Sequence, residues 1–213
     1  MEEKKAIYTA TNTYSILNKI THKTKNIWLV CHGMGYLSKY FIRYFKELDS
    51  TENYIIAPQA PNKYYQGPDF KHVGASWLTR VDTAMETTNV MNYMNKVAEL
   101  EELSKHTNKR FICMGYSQGV SIMMRWLKQT TLVPNDLILH SGGIPTELEP
   151  KDLVALAETR TYLVYGDQDE YLTEDRITTE KEKAQHLFPT GLSIHEFSGK
   201  HEVNTRFIQA LVN

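Results

Sequence analysis

This sequence is short of cysteine, of net charge and of long apolar runs, and each shortage excludes a class of protein. Only Cys31 and Cys113 are present among 213 residues, each inside an apolar strand-like run. A disulfide framework is therefore excluded, and two buried thiols in a reducing compartment are expected. With 24 Lys and Arg against 25 Asp and Glu, the net charge of −1 leaves no basic field to hold nucleic acid or anionic lipid. No apolar stretch approaches the roughly eighteen residues that a spanning helix needs, so no membrane span is expected. The opening "MEEKKAIYTATNTYSIL" is acidic and has no continuous apolar core, so no secretory signal is expected and the assigned location is cytoplasmic. HExxH, metal-spaced Cys/His sets and a phosphate loop are also missing, and neither metal nor organic cofactor is implied.

Repeats, low-complexity tracts and Ser/Gly linkers are absent too, which leaves no visible boundary and a single domain over residues 1–213. At 41% hydrophobic residues the chain can bury one sizeable core. A homo-oligomer is compatible with this composition.

What is present is alternation. "KKAIYTA" and "TYSILNK" read as a hairpin turning at "TNT". "NIWLVCHG" is a near-continuous apolar run ending in glycine, the pattern of a buried parallel strand. "YLSKYFIRYFKEL" then places Leu37, Tyr40, Phe41, Tyr44, Phe45 and Leu48 at helical spacing. "NYIIAP" reads as a strand, "PNKYYQGPDFKHVGASW" as a long loop, and residues 81–106 as helix. "RFICMG" (strand) and "QGVSIMMRWLKQ" (helix) follow. "DLILHSGG", "TYLVYGD" and "LSIHEFSG" are three more strands, separated by "PKDLVALAE" and the charged "TEDRITTEKEKAQHLF". "EVNTRFIQALV" closes the chain as an amphipathic helix. Strands alternating with helices predict an α/β fold with a mostly parallel sheet covered on both faces. In such sheets ligands bind beyond the carboxyl ends of the strands.

One of those ends carries "GYSQG". A serine at a sharp strand-to-helix turn needs small neighbours two residues to either side, and Gly115 and Gly119 flank Ser117 in that way. The turn pushes the hydroxyl outward, and the helix behind it points its partial positive end at the reacting centre. The Gln118 N–H can then donate to a developing oxyanion. A hydroxyl needs a base, and the base an orienting acid. On such a scaffold acid and base follow the nucleophile in chain order.

Downstream lie His140, His186, His195 and His201. His186 falls in a charged helical stretch, and His140 and His195 fall inside strands. His201, in "SGKHEV", follows a strand end on a loop that can reach the serine, and is favoured as base. "VYGDQDEYL" offers Asp167, Asp169 and Glu170 as acids, and position alone does not separate them; capping of the next helix is the structural alternative. In "HGMG" the glycines allow close backbone approach, and the Met34 N–H is the second oxyanion donor. His32 reads as a loop brace. Tyr36, Tyr64, Tyr65, Trp77 and Leu78 lie on segments that should border the nucleophile, as an apolar acyl wall; for Trp77 and Leu78 a plain core role is the competing reading.

"HGMG", "APQAPNKYYQGPDFKHVGASW", "GYSQG", "LHSGGIP", "YGDQDEYL" and "GKHEV" resemble, in order and approximate spacing, the phospholipase/carboxylesterase group of α/β-hydrolases over about residues 26–212. The resemblance implies an α/β-hydrolase fold without a substantial lid. It also implies Ser117 as nucleophile, Asp169 as acid and His201 as base, with Met34 and Gln118 at the oxyanion hole. The implied activity is that of a serine carboxylesterase acting on small-molecule esters or thioesters with an apolar acyl group. The chain departs from the family's pattern at Tyr36, often acidic there, at "DEYL" after the acid, and at Leu78 and Thr79 after Trp77. A non-catalytic binding protein on the same scaffold is the alternative, as is a lysophospholipase or peptidase variant.

Overall fold

The computed structural model describes residues 1–212. Its sheet has seven strands: β1 (Tyr14–Leu17), β2 (Asn26–Cys31), β3 (Asn53–Pro58), β6 (Arg110–Tyr116), β7 (Asp136–His140), β8 (Arg160–Gly166) and β9 (Leu192–Phe197). They lie in the order β1-β3-β2-β6-β7-β8-β9. Six are parallel, and β1 alone runs antiparallel, pairing Tyr14 with Pro58 through Leu17 with Ile55. The fold is that of an α/β-hydrolase, with no large lid among the described residues.

Side-chain alternation along the strands divides the core in two. Leu29 of β2, Cys113 of β6 and Leu139 of β7 face a layer made by α2 (Thr83–Leu100), α3 (Gln118–Leu127) and α4 (Glu174–Leu187). Trp28, Val30, Met114 and Ile138 face the other way, onto α1 (Ser38–Phe41) and α5 (Thr205–Ala210). Both faces are covered, which is why β2, β3 and β7 are buried along their whole length and read as near-continuous apolar runs. The edge strand β9 is largely exposed.

Three local readings change. Residues 1–13 form no strand, so the expected N-terminal hairpin is absent; residues 14–17 pair with β3 instead, whose free edge offers a ready ladder. The long loop at 61–77 contains a two-stranded hairpin, β4 (Asn62–Gln66) and β5 (His72–Ser76). The helix expected over 37–48 is one α-turn continued by a 3-10 turn, Ile42–Phe45. Of the six residues its spacing marked, Phe41, Phe45 and Leu48 are buried, Leu37 and Tyr44 are partly buried and Tyr40 is exposed, while Ile42, which the spacing did not mark, is buried. Among the described residues no helix is long and apolar enough to cross a membrane.

Candidate active site

Ser117 sits between the end of β6 and the start of α3 with φ 53° and ψ −120°, a backbone conformation that is costly for a residue with a side chain. It persists because its surroundings leave no alternative. The Ser117 N–H donates to the His140 carbonyl at 2.8 Å. A Cβ on Gly115 would stand 2.4 Å from Val120 Cα, and one on Gly119 2.1 Å from the Cys31 carbonyl oxygen. The two glycines let strand, turn and helix close on one another.

The Ser117 hydroxyl donates to His201 Nε2 at 3.0 Å, and His201 Nδ1–H donates to Asp169 Oδ2 at 2.7 Å. Asp169 is buried, and its other oxygen accepts the N–H groups of Tyr171 at 2.8 Å and Leu172 at 3.1 Å. Asp167 faces elsewhere and accepts the Gly199 N–H at 3.0 Å, bracing the loop that carries His201. Glu170 lies exposed beside them. The three side chains thus form a hydrogen-bonded line from strand ends β6, β8 and β9, with the helix-capping alternative for Asp169 reduced to the turn at 169–172.

The loop after β2 passes beside the serine, since a Cβ on Gly33 would lie 3.0 Å from Ser117 Cβ. Neither the Met34 N–H nor the Gln118 N–H donates to a protein acceptor among the described residues. The loop is fastened from several directions. His32 Nδ1–H donates to the Gly33 carbonyl at 2.8 Å, and its Nε2 accepts the Ala60 N–H at 3.1 Å. Burial lowers the pKa of this imidazole to about 4, which keeps it a neutral brace.

The expected acyl wall is divided. Met34 (61% exposed) and Tyr65 (60% exposed) present apolar surface, and Tyr64 is exposed beside them on β4. Tyr36 is half-buried, its hydroxyl sharing a 3.1 Å hydrogen bond with that of Tyr44. Trp77 is wholly buried in the core, its indole N–H donating to the His32 carbonyl at 2.8 Å, and Leu78 is buried beside it. These two support the site from beneath and present no open wall, which is the core reading.

Sequence reasoning missed the fasteners. The Gln118 side chain accepts the Trp77 N–H at 2.8 Å and donates to the Leu78 carbonyl at 2.7 Å, so the residue that follows Ser117 clamps the 76–78 segment with its amide. From the hairpin, the Ala75 carbonyl accepts the Gly35 N–H at 2.8 Å and Gln66 donates to the Gly35 carbonyl at 3.1 Å. A glutamine in a hairpin has no spacing signature; the glycine it meets, with φ +86°, was the visible half of that pair. Cys31 and Cys113 are buried free thiols whose pKa values burial pushes up, so both stay protonated and unreactive. No group of three or more His, Cys, Asp or Glu among the described residues is arranged to hold a metal.

Comparison with known proteins gives the family and the fold. The model of the phospholipase/carboxylesterase family matches residues 12–213. Among solved structures, the chain is similar to esterase PE8 at 20% identity, covering 95% of this chain and 98% of that one with a TM-score of 0.65. The Zea mays acyl-protein thioesterase 2 gives 16% identity, 94% and 96% coverage and a TM-score of 0.66. The Bacillus cereus carboxylesterase gives 16%, 95% and 92%, and 0.65. At these identities the likeness is one of fold. Among curated protein sequences none matched.

Proposed function

We propose, from the premise that this chain belongs to the phospholipase/carboxylesterase family and is a hydrolase of the esterase/thioesterase type, that it is a serine esterase acting through an acyl-enzyme. One observation carries the reading: the unbroken line Ser117–His201–Asp169, with hydrogen bonds of 3.0 and 2.7 Å.

In this scheme Ser117 Oγ attacks the ester or thioester carbonyl while His201 Nε2 takes its proton. The resulting imidazolium faces the Asp169 carboxylate, whose orientation the Tyr171 and Leu172 amides fix. Negative charge develops on the former carbonyl oxygen, where the Met34 and Gln118 N–H groups and the amino end of α3 stabilise it; such donors are each worth about 3 kcal/mol at the transition state. His201 passes its proton to the departing alcohol or thiol. Water, deprotonated by the same imidazole, then cleaves the acyl-enzyme and restores the Ser117 hydroxyl.

The substrate class follows from the rim. Met34, Tyr64 and Tyr65 offer apolar and aromatic surface, which suits a neutral small molecule with an apolar acyl group. Labelling with a fluorophosphonate probe and turnover of p-nitrophenyl esters from acetate to octanoate test the proposal. The expected result is stoichiometric labelling at Ser117 and hydrolysis of at least part of the series, both lost in Ser117→Ala. A folded chain that neither labels nor turns over any ester is a binding protein on a hydrolase scaffold.

A further inference from the structure

Two side chains outside the line Ser117–His201–Asp169 hold the base-bearing loop against the strand end that carries the serine. Tyr116, buried at the end of β6, donates its hydroxyl to the His201 carbonyl at 2.9 Å. Its ring lies 5.3 Å from the His201 ring and 5.3 Å from the His140 ring. His140, fully buried at the end of β7, accepts the Asn204 N–H on Nε2 at 2.9 Å. An amide N–H can only donate, so Nε2 is the lone-pair nitrogen and Nδ1 carries the proton, 3.0 Å from Ser141 Oγ. Burial, with a smaller contribution from His201, lowers the His140 pKa to about 3 and keeps that acceptor in place.

The segment 201–204 is thereby pinned at both ends, at the carbonyl of His201 and at the amide of Asn204. Between the two ends Glu202 is exposed and Val203 is buried, and Ser198 and Lys200 before them are exposed. The carbonyl of the same His140 accepts the Ser117 N–H at 2.8 Å. One residue of β7 therefore touches the nucleophile's backbone through its main chain and the base's loop through its ring. Asp169 aims the His201 imidazole but does not hold its backbone; the ties of Asp167 and Gln168 to Gly199 lie before His201, and after it the Val203 side chain is buried in the core.

We infer that Tyr116 and His140 are positioning residues that set the separation of Ser117 Oγ and His201 Nε2, and through it the rate of acylation. The inference rests on the serine-esterase reading above. Misplacing a reacting group by about 1 Å can cost on the order of a hundredfold in rate, so two tethers acting on one backbone segment have measurable leverage.

The test uses the full chain and four variants. Tyr116→Phe keeps the ring and removes only the hydroxyl. His140→Leu removes the acceptor, while His140→Gln and His140→Asn can return an amide oxygen toward the Asn204 N–H. The second-order rate of fluorophosphonate labelling, kcat and KM for p-nitrophenyl acetate, and the Tm are measured on each. Tyr116→Phe is expected to slow labelling and lower kcat about tenfold, with KM within about twofold. His140→Leu is expected to lose more, and one of the amide variants to recover most of it. If His140→Leu does not fold, Tyr116→Phe and the amide variants carry the test. Variants that label as fast as the parent, whatever their Tm, would reduce the tethers to stability and overturn the inference alone. A folded parent that does not label overturns the serine-esterase reading, and this inference with it.

Discussion

Asp167 and Asp169 leave the same strand end two residues apart and hold the same loop at different points: Asp167 accepts the Gly199 N–H at 3.0 Å, and Asp169 accepts His201 Nδ1–H at 2.7 Å. Substitution should separate their roles. Asp169→Asn is expected to lower kcat by about 10⁴-fold, because an amide favours the wrong imidazole tautomer and cannot stabilise the imidazolium. Asp167→Asn retains an oxygen for the Gly199 N–H and should cost about threefold or less, the effect of a neutral hydrogen bond perturbed at the surface. Turnover of p-nitrophenyl acetate by the two variants checks the pair; equal losses would contradict the division.

The Gln118 side chain makes a second prediction. Gln118→Ala keeps the backbone N–H but strands the Trp77 N–H and the Leu78 carbonyl, both now paired with the amide. A loss of about 1–3 kcal/mol of stability is expected from the unpaired groups, with kcat falling because the segment behind the site loosens. Urea denaturation and steady-state kinetics measure the two effects; an unchanged midpoint would mean the clamp is idle.

Acid should unfold the protein by a traceable route. His32 and His140 have pKa values lowered to about 4 and about 3, mainly by burial, from the ordinary 6.5. Below about pH 6.5 the unfolded chain binds protons at these sites that the folded chain refuses, so folding stability rises with pH across this window. The contribution is complete above about 6.5 and is lost as pH falls toward 4 and 3, at about 1.4 kcal/mol per unit for each group. Tm followed by circular dichroism should be level above pH 7 and fall steeply below 6, with a shallower fall in His140→Gln. A Tm flat from pH 7 to 4.5 would refute the neutral buried imidazoles.

Gly119→Ala tests the turn. The new methyl would stand 2.1 Å from the Cys31 carbonyl oxygen, a backbone atom that no rotamer change can move away. Destabilisation of at least about 3 kcal/mol is expected, at the upper end of overpacking costs, read from the denaturation midpoint. A soluble variant of parental stability would show that β2 and α3 can separate.

How far the fold could be read from the sequence depended on burial. The strands β2, β3 and β7 are covered on both faces, so their central residues are apolar and stood out as runs, with polar residues such as Asn26, Asn53, Asp136 and His140 kept to the ends. The hairpin β4–β5 carries Lys63, Tyr64 and Tyr65 in solvent, and nothing about an exposed, two-sided strand distinguishes it from a polar loop. At the N-terminus the strand-like "KKAIYTA" forms no strand, although β1, its expected partner, stands at the edge of the sheet; local propensity alone did not decide that pairing. At the site, the glycine-flanked serine and the order of acid and histidine were visible as residue types. Asp167 and Asp169 were not separable, since only the direction of each side chain tells them apart. The tethers from Tyr116 and His140 were hidden because a hydroxyl and an imidazole within apolar strands look like ordinary core until their partners are seen.

Ser117 and His201 are 84 positions apart in the chain, and His201 and Asp169 are 32 apart. No hairpin, helix or βα unit contains two of the three, so the hydrogen-bonded line cannot assemble before β8 has docked on β7 and β9 on β8. In a refolding chain, recovery of probe reactivity is then a late clock, running behind the return of helical signal from α2 and α4, whose contacts along the chain are local.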